Sequence, residues 1–512
     1  MSVTSYQNPI LRGMYPDPSI VRVDDTFYMV NSTFEYYPGI ALSKSKDLLN
    51  WTKLPAIATS PEQADLRQSK SNEGIFAVNI RYHDGYFYVI TTNFAEFKSF
   101  IIRGQLTEDK ENIIWEKNRI NIDIMGIDPD LYFENGHTYV QFTGYIDDHG
   151  TKAIQQVEIN IENGSILRGP EVLSLGTGGR DVEGPHILKK KGYYYLLMAE
   201  GGTGLGHMVT MVRGKSIWGP FDEPANNNPL FTNRDRAEQP LQCIGHSDLF
   251  QDQTGNWWLV CLGTRPANVG FVNYTNIGRE TLLYPVDWST DWPVINHGVP
   301  TETVVMTQYP KHAKTLNKQV IRSFHDTIEE DELKPEWVTL RNHLGNRLTL
   351  NKGQLRLKGS DITLSDLSTP SFLGIRQSEQ EERFCITLDP KSQINEGSFG
   401  IAIIINANHH CAMMIEAGNN GSYDVYKQVT VLDINVKEKI GTLSSLPSTL
   451  CLQNTKKYKI FTALNATEKV EFKIHAMHFS NEAIAALNTG DIQGIYVLGN
   501  AEMVISEANR DI

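Results

Sequence analysis

The stretch MYPDPSIVRVDDTFYMV, residues 14–30, sets two short apolar runs, IVRV and TFYMV, on either side of an acidic turn at Asp24-Asp25. Two such runs joined by a tight polar turn predict a β-hairpin. Just ahead of the first run stands a carboxylate held between two prolines, Pro16-Asp17-Pro18. A single acid in that place caps a turn and needs no further explanation. Its meaning depends on whether the arrangement recurs.

It recurs four times. FAVNIRYHDGYFYVI begins at Phe76 and turns at Asp84-Gly85; DPDLYFENGHTYVQF begins at Asp128 and turns at Asn135-Gly136. EGPHILKKKGYYYLLMAE begins at Glu183 and turns at Gly192; HSDLFQDQTGNWWLVCLG begins at His246 and turns at Gly255. Asn-Gly and Asp-Gly mark hairpins because the turn needs positive φ. Hairpins starting about 50–60 residues apart fit radial repetition of antiparallel sheets better than a sandwich. The chain is therefore expected to be all-β, with a five-bladed β-propeller over residues 1–315.

In a propeller the first strand of each blade lines the axis, so the residues before it crowd one end of the channel. Those places hold Asp17, the Phe76 region, Asp128, Glu183 and His246. Three are carboxylic acids, expected at equivalent positions of their repeats. Packing alone would favour small or apolar residues there, since clustered carboxylates repel one another. Two chemistries use such a cluster: binding a hard cation through oxygen ligands, and acid–base hydrolysis, in which one carboxyl stays protonated and another ionised. Glycoside hydrolysis requires that division, an acid for the leaving oxygen and a base for the attacking water. Tyr15, Phe34, Tyr36, Tyr37 and Phe76 lie near the same end and are expected to wall a sugar pocket.

Composition narrows the partners. A net charge of −13 and a pI near 5.6 argue against nucleic acid and anionic membranes, which reward clustered Lys and Arg. The N-terminal residues show neither a basic nor an apolar signal region, and no apolar run is long enough for a membrane helix. Cys243, Cys261, Cys385, Cys411 and Cys451 are odd in number and widely spaced. That pattern suits reduced thiols and a cytoplasmic location. Several stretches are decoys. GGTGLGH, residues 201–207, follows a strand with no matching helix, so no dinucleotide site is expected. His409-His410-Cys411 has the wrong spacing for zinc. Ser19 and Ser247 lack a nucleophile-elbow context.

The motifs NPILRGMYPDPSI, STFEYYPGIALSKSKDLLNW, GIDPDLYF, EGPHI, GHSDL and GRETLLYPV together resemble glycoside hydrolase family 43, in its β-xylosidase and α-L-arabinofuranosidase branches. The resemblance implies the propeller reached above and a single-displacement, inverting mechanism. It implies Asp17 as general base, Asp128 as the acid that tunes pKa and orients the sugar, and Glu183 as general acid. Arg279 resembles an arginine that binds sugar hydroxyls, Phe34 part of the pocket wall, and His246 an axial histidine that contacts water or, in some members, a calcium ion. Phe76 and His207 are expected beside the sugar. Phe76-Ala77-Val78-Asn79 departs from the Trp-Ala-Pro-His of many relatives, which bears on which pentose fits.

Residues 320–512 change character, with short alternating strands such as QLRLKG, FCITLD and FGIAIIINA between turn residues. They resemble the concanavalin-A-like β-sandwich that follows the propeller in these branches and helps close its pocket. EAIAALN, residues 482–488, is expected to be at most a short helical turn. The expected activity is exo-acting release of β-D-xylose from short xylooligosaccharides, with α-L-arabinofuranosidase, alone or alongside, as the alternative. The partners are then xylo- or arabino-oligosaccharides, and no cofactor is needed beyond a structural calcium ion if one sits on the axis. From a different class, a non-catalytic sugar-binding or scaffold propeller would have no reason to gather three acids. Homo-oligomerisation is left open.

Overall fold

A computed structural model describes residues 3–512. Five antiparallel sheets follow one another in the chain, each built from a contiguous segment. Their first strands are Ser19–Val23, Ile75–His83, Ile127–Glu134, Glu183–Lys190 and Gln242–Gln251. These five touch one another in cyclic order and so surround a common axis. The hairpin turns fall where the sequence placed them. At Asp84-Gly85, Asn135-Gly136 and Lys191-Gly192 both central residues have positive φ, the backbone that fits the twist of a two-residue hairpin.

Aromatic residues fill the spaces between blades. Phe27 of the first blade meets Phe250 of the fifth edge-on, with ring centroids 5.8 Å apart, and Trp258 and Tyr284 are fully buried nearby. Burial of each such side chain contributes roughly 1.5–3 kcal/mol. The ring is closed by the N-terminal segment: Ser5–Gln7 pairs with Thr303–Val305. The Tyr6 hydroxyl and the Asn8 amide both donate to the Leu283 carbonyl, at 2.6 and 3.0 Å.

The C-terminal domain is a β-sandwich organised by one strand, Ile492–Asp511, of twenty residues. It pairs with Gln393–Asn406 and Phe372–Arg376 near its start and with Gln354–Lys358 and Glu382–Leu388 towards its end. Residues 481–484 form a single helical turn. The sandwich is bound to the propeller: Thr339–Leu340 pairs with Tyr36–Tyr37, and Met14 and Tyr36 share an apolar cluster with Val338, Leu340, Phe372 and Ile492. Tyr36 therefore serves the interface and Tyr37 the strand pair, not the wall of a sugar pocket.

One expectation is corrected here. Cys385 and Cys451 form a disulfide, while Cys243, Cys261 and Cys411 are free and buried. The two cysteines face each other across neighbouring strands, with Cα atoms 4.1 Å apart. Sixty-six residues of sequence separate them, and only the strand register reveals that they meet. The cytoplasmic expectation loses the support it drew from five reduced thiols.

Candidate active site

A bulge interrupts four of the five inner strands, between Ile75 and Val78, Ile127 and Asp130, Glu183 and His186, and around His246. Bulges re-aim side chains, and here they turn a set of polar residues toward one end of the axis. Asp17, Asp128, Gly184 and His246 all have positive φ, between 44° and 57°, so these four are the equivalent positions. Glu183 stands one residue earlier in its repeat. The expectation that the three acids are strictly equivalent is thus corrected: the fourth blade puts a glycine at the left-handed position and its acid next to it. A side chain at Gly184 would crowd the His246 ring, 3.1 Å from an added Cβ.

The three carboxyls nevertheless converge, and their environments differ. Asp17 is 4% exposed. Its Oδ2 accepts from the Ser32 hydroxyl at 2.6 Å and its Oδ1 from Arg279 Nη1 at 3.2 Å, with His246 Nδ1 3.9 Å away. Burial raises its pKa, but Arg279, His246 and Ser32 outweigh burial and hold it below the ordinary carboxylate value. Asp128 is pushed up to about 7, by burial first and then by Glu183 and Asp17, against His246 and the Gly184 N–H that donates to it at 3.2 Å. Glu183 is also pushed up to about 7, by burial and the Asp17 charge, with Lys152 and Arg279 pulling the other way. Near neutral pH the site therefore holds one ionised carboxylate beside two that keep their protons about half the time.

Around these acids the structure places the other expected residues. The Phe34 and Phe76 rings adjoin at 5.6 Å, and Phe76 stacks on Phe94 at 4.5 Å. Arg279 lies 5.6 Å from the Phe34 ring and donates to Thr203 Oγ1 at 3.0 Å. Its buried Nε has no protein partner. His207 is buried beneath Gly245, with Nδ1 3.0 Å from the Cys243 carbonyl. Burial lowers it to about 3, so its ring is neutral. Ser32, Thr203, Phe94 and Lys152 were not singled out from the sequence. Lys152 reaches the site from the first position of the strand Lys152–Ile159, held by Asp181 at 2.8 Å. Thr203 comes from the glycine-rich stretch set aside as a decoy.

Further along the axis Arg81 forms ion pairs with Asp130 at 2.7 Å and Asp248 at 2.8 Å. Asp130 also takes His186 Nδ1 at 2.7 Å, and Ser19 donates to Asp248 at 2.8 Å. The axial carboxylates of Asp130 and Asp248 are thus engaged by a guanidinium, while Asp130 Oδ1 and His186 Nε2 have no protein partner.

The sequence model of Glycosyl hydrolases family 43 matches residues 6–293, and that of the Beta xylosidase C-terminal Concanavalin A-like domain matches residues 325–509. The chain is 33% identical to a non-reducing end α-L-arabinofuranosidase, BoGH43B, of Bacteroides ovatus, over 99% of this chain and 94% of the relative. It is 35% identical to a xylosidase/arabinosidase of Butyrivibrio fibrisolvens, over 80% of this chain and 79% of the relative. A solved xylan β-1,4-xylosidase of Bacillus halodurans superposes with a TM-score of 0.88 at 25% identity, covering 99% of this chain and 100% of the other. Matches to both halves in order, over a propeller with converging acids, lead to one conclusion: the chain belongs to glycosyl hydrolase family 43 and is a glycosidase.

Proposed function

We propose that the protein is an exo-acting, inverting pentosidase that releases β-D-xylose from the non-reducing ends of short xylooligosaccharides. The observation that carries the mechanism is the split between Asp17, held ionised, and Glu183, held protonated to about pH 7. Asp17 takes a proton from a water on one face of the sugar, and that water attacks the anomeric carbon. Glu183 gives its proton to the glycosidic oxygen as the bond to the anomeric carbon breaks. Asp128, itself pushed up by burial, Glu183 and Asp17, orients the sugar. Arg279 offers its unpartnered Nε to a hydroxyl, and Phe34 and Phe76 exclude water from the other side.

A second reading, α-L-arabinofuranosidase, is favoured by the near-full-length Bacteroides relative of that name. The two pentosides present similar hydroxyls to a small pocket, and both activities are compatible with this site. We read the axis as carrying its own cation, Arg81, in place of calcium. Assays on paired nitrophenyl β-xylopyranoside and α-L-arabinofuranoside substrates test the specificity. Higher kcat/KM on the xyloside supports the main reading, and activity confined to the arabinofuranoside replaces it with the second. Proton NMR of the first product from a β-xyloside should show α-xylose; β-xylose would overturn inversion.

A further inference from the structure

Between the propeller and the sandwich lies a cavity of about 390 Å³, a volume that suits a small ligand. It is lined by Tyr15, by the Trp51–Lys53 edge of the first blade, by the connecting stretch 319–325 and by Arg376 and Glu379 of the sandwich. None of Asp17, Asp128 and Glu183 lines it.

Two cations there lack a counter-ion. Lys53 Nζ is 3.4 Å from the centre of the Tyr15 ring, and the Arg376 guanidinium carbon is 4.6 Å from it. Arg376 uses Nε to donate to the Met14 carbonyl at 2.9 Å. Neither cation is ion-paired with a carboxylate among the described residues. Of the two glutamates in the lining, Glu379 is taken by Arg12 and Arg265. Glu336 forms no ion pair with either cation, although its charge acts on Lys53 from across the lining.

Two neighbouring cations, Arg376 buried and Lys53 part-buried, repel each other and lose hydration. A shared aromatic ring returns only about 0.5–2 kcal/mol to each. The strain shows in their surroundings: burial pulls the Lys53 ammonium below its usual range. The Tyr15 phenol, which burial alone would raise, is drawn below its ordinary value by Arg376 and Lys53.

We propose that this cavity binds a small oxyanion, held by the Lys53 ammonium and the free edge of the Arg376 guanidinium. A planar guanidinium fork beside a point charge is the pairing that recognises carboxylate, phosphate or sulfate oxygens. The ligand is either an inorganic oxyanion or the carboxylate of an acidic sugar. The site also has a route to the catalytic centre. The Tyr15 N–H donates to the Arg279 carbonyl at 3.0 Å, and the Tyr15 carbonyl accepts from Thr281 at 2.7 Å and Asn31 at 3.0 Å. Two residues further on is Asp17. An anion that fixes Tyr15 therefore steadies the segment that carries the proposed base, whichever pentose is cleaved.

Isothermal titration of the full chain at constant ionic strength tests this, using inorganic phosphate, glucuronate and, as the neutral arm, xylose. One saturable site is expected for phosphate or glucuronate, and the tighter of the two identifies the source. Lys53→Met should weaken it at least about tenfold through loss of a charge-assisted hydrogen bond. Lys53→Arg, which keeps the charge, should bind as the parent does. Lys53→Gln should repeat the loss with a polar tip in place, guarding against a misfolded Met variant. Arg279→Met should leave anion binding unchanged, which separates this cavity from the catalytic pocket. No saturable binding of either anion, unchanged binding in both Lys53→Met and Lys53→Gln, or loss of binding in Arg279→Met overturns the proposal.

Discussion

Replacing Lys152 by Met isolates the electrostatics of the proposed acid. Lys152 is the strongest of the charges that lower the Glu183 pKa, and it is held near the site by Asp181 at 2.8 Å. Its removal withdraws a positive charge and leaves Asp181, which raises Glu183, without its partner. Both effects stabilise the protonated acid. A unit charge about 6 Å away in an effective dielectric of about 40 is worth roughly 1.4 kcal/mol, close to one pH unit. Lys152 is 24% exposed, so screening reduces this to about 0.5–1 unit. With Glu183 at about 7 in the parent, about a tenth of it is protonated at pH 8, against a quarter to a half in the variant. The kcat/KM on xylobiose at pH 8 should therefore rise about threefold to fivefold, and the alkaline limb should move upward. The acidic limb, set by Asp17, should stay in place. Lys152→Arg keeps the charge and should keep the parent profile. An alkaline limb that stays put or moves down in Lys152→Met would refute the assignment of that limb to Glu183.

Three further outcomes are expected. Ser32→Ala removes the 2.6 Å hydrogen bond to Asp17 and should raise the acidic limb by about 0.5–1 pH unit; an unmoved limb would detach it from Asp17. Because Arg81 occupies the axial carboxylates, activity should withstand exhaustive EDTA, and a loss restored by calcium would show that the ion has a place after all. A chain ending near residue 318 uncovers the apolar cluster around Met14 and Tyr36 and should be poorly soluble or nearly inactive; a stable, fully active propeller would show that the sandwich is dispensable.

The repeats were legible because their signals are local. Each hairpin turn needs residues that accept positive φ, and Asp-Gly or Asn-Gly between alternating apolar runs states that need in the sequence. The acids were legible for the same reason, each lying beside its hairpin. What the sequence hid depends on register or on distance. Glu183 sits one place off because its repeat gives the left-handed position to Gly184, and a bulge count cannot be read from letters alone. Lys152 and Ser32 look like ordinary strand and turn residues, and only the closed ring brings them to the acids. Arg81, in NIRYH, reads as an exposed strand position, yet the bulge before Val78 turns it onto the axis. The strand Ile492–Asp511 escaped notice because its glycines and polar residues break the alternation, although it organises the whole sandwich.

The division of labour between Asp17 and Glu183 is tested most directly by leaving-group dependence in two variants. A sugar alkoxide cannot depart without a proton, whereas dinitrophenolate needs almost none. Glu183→Ala should thus lose about 10²–10⁴-fold in kcat on xylobiose and far less on dinitrophenyl β-xyloside, while Asp17→Ala should be crippled on both, because water must be activated whichever group leaves. Equal losses for Glu183→Ala on the two substrates, or an Asp17→Ala variant that recovers with the better leaving group, would contradict the assignment of acid and base.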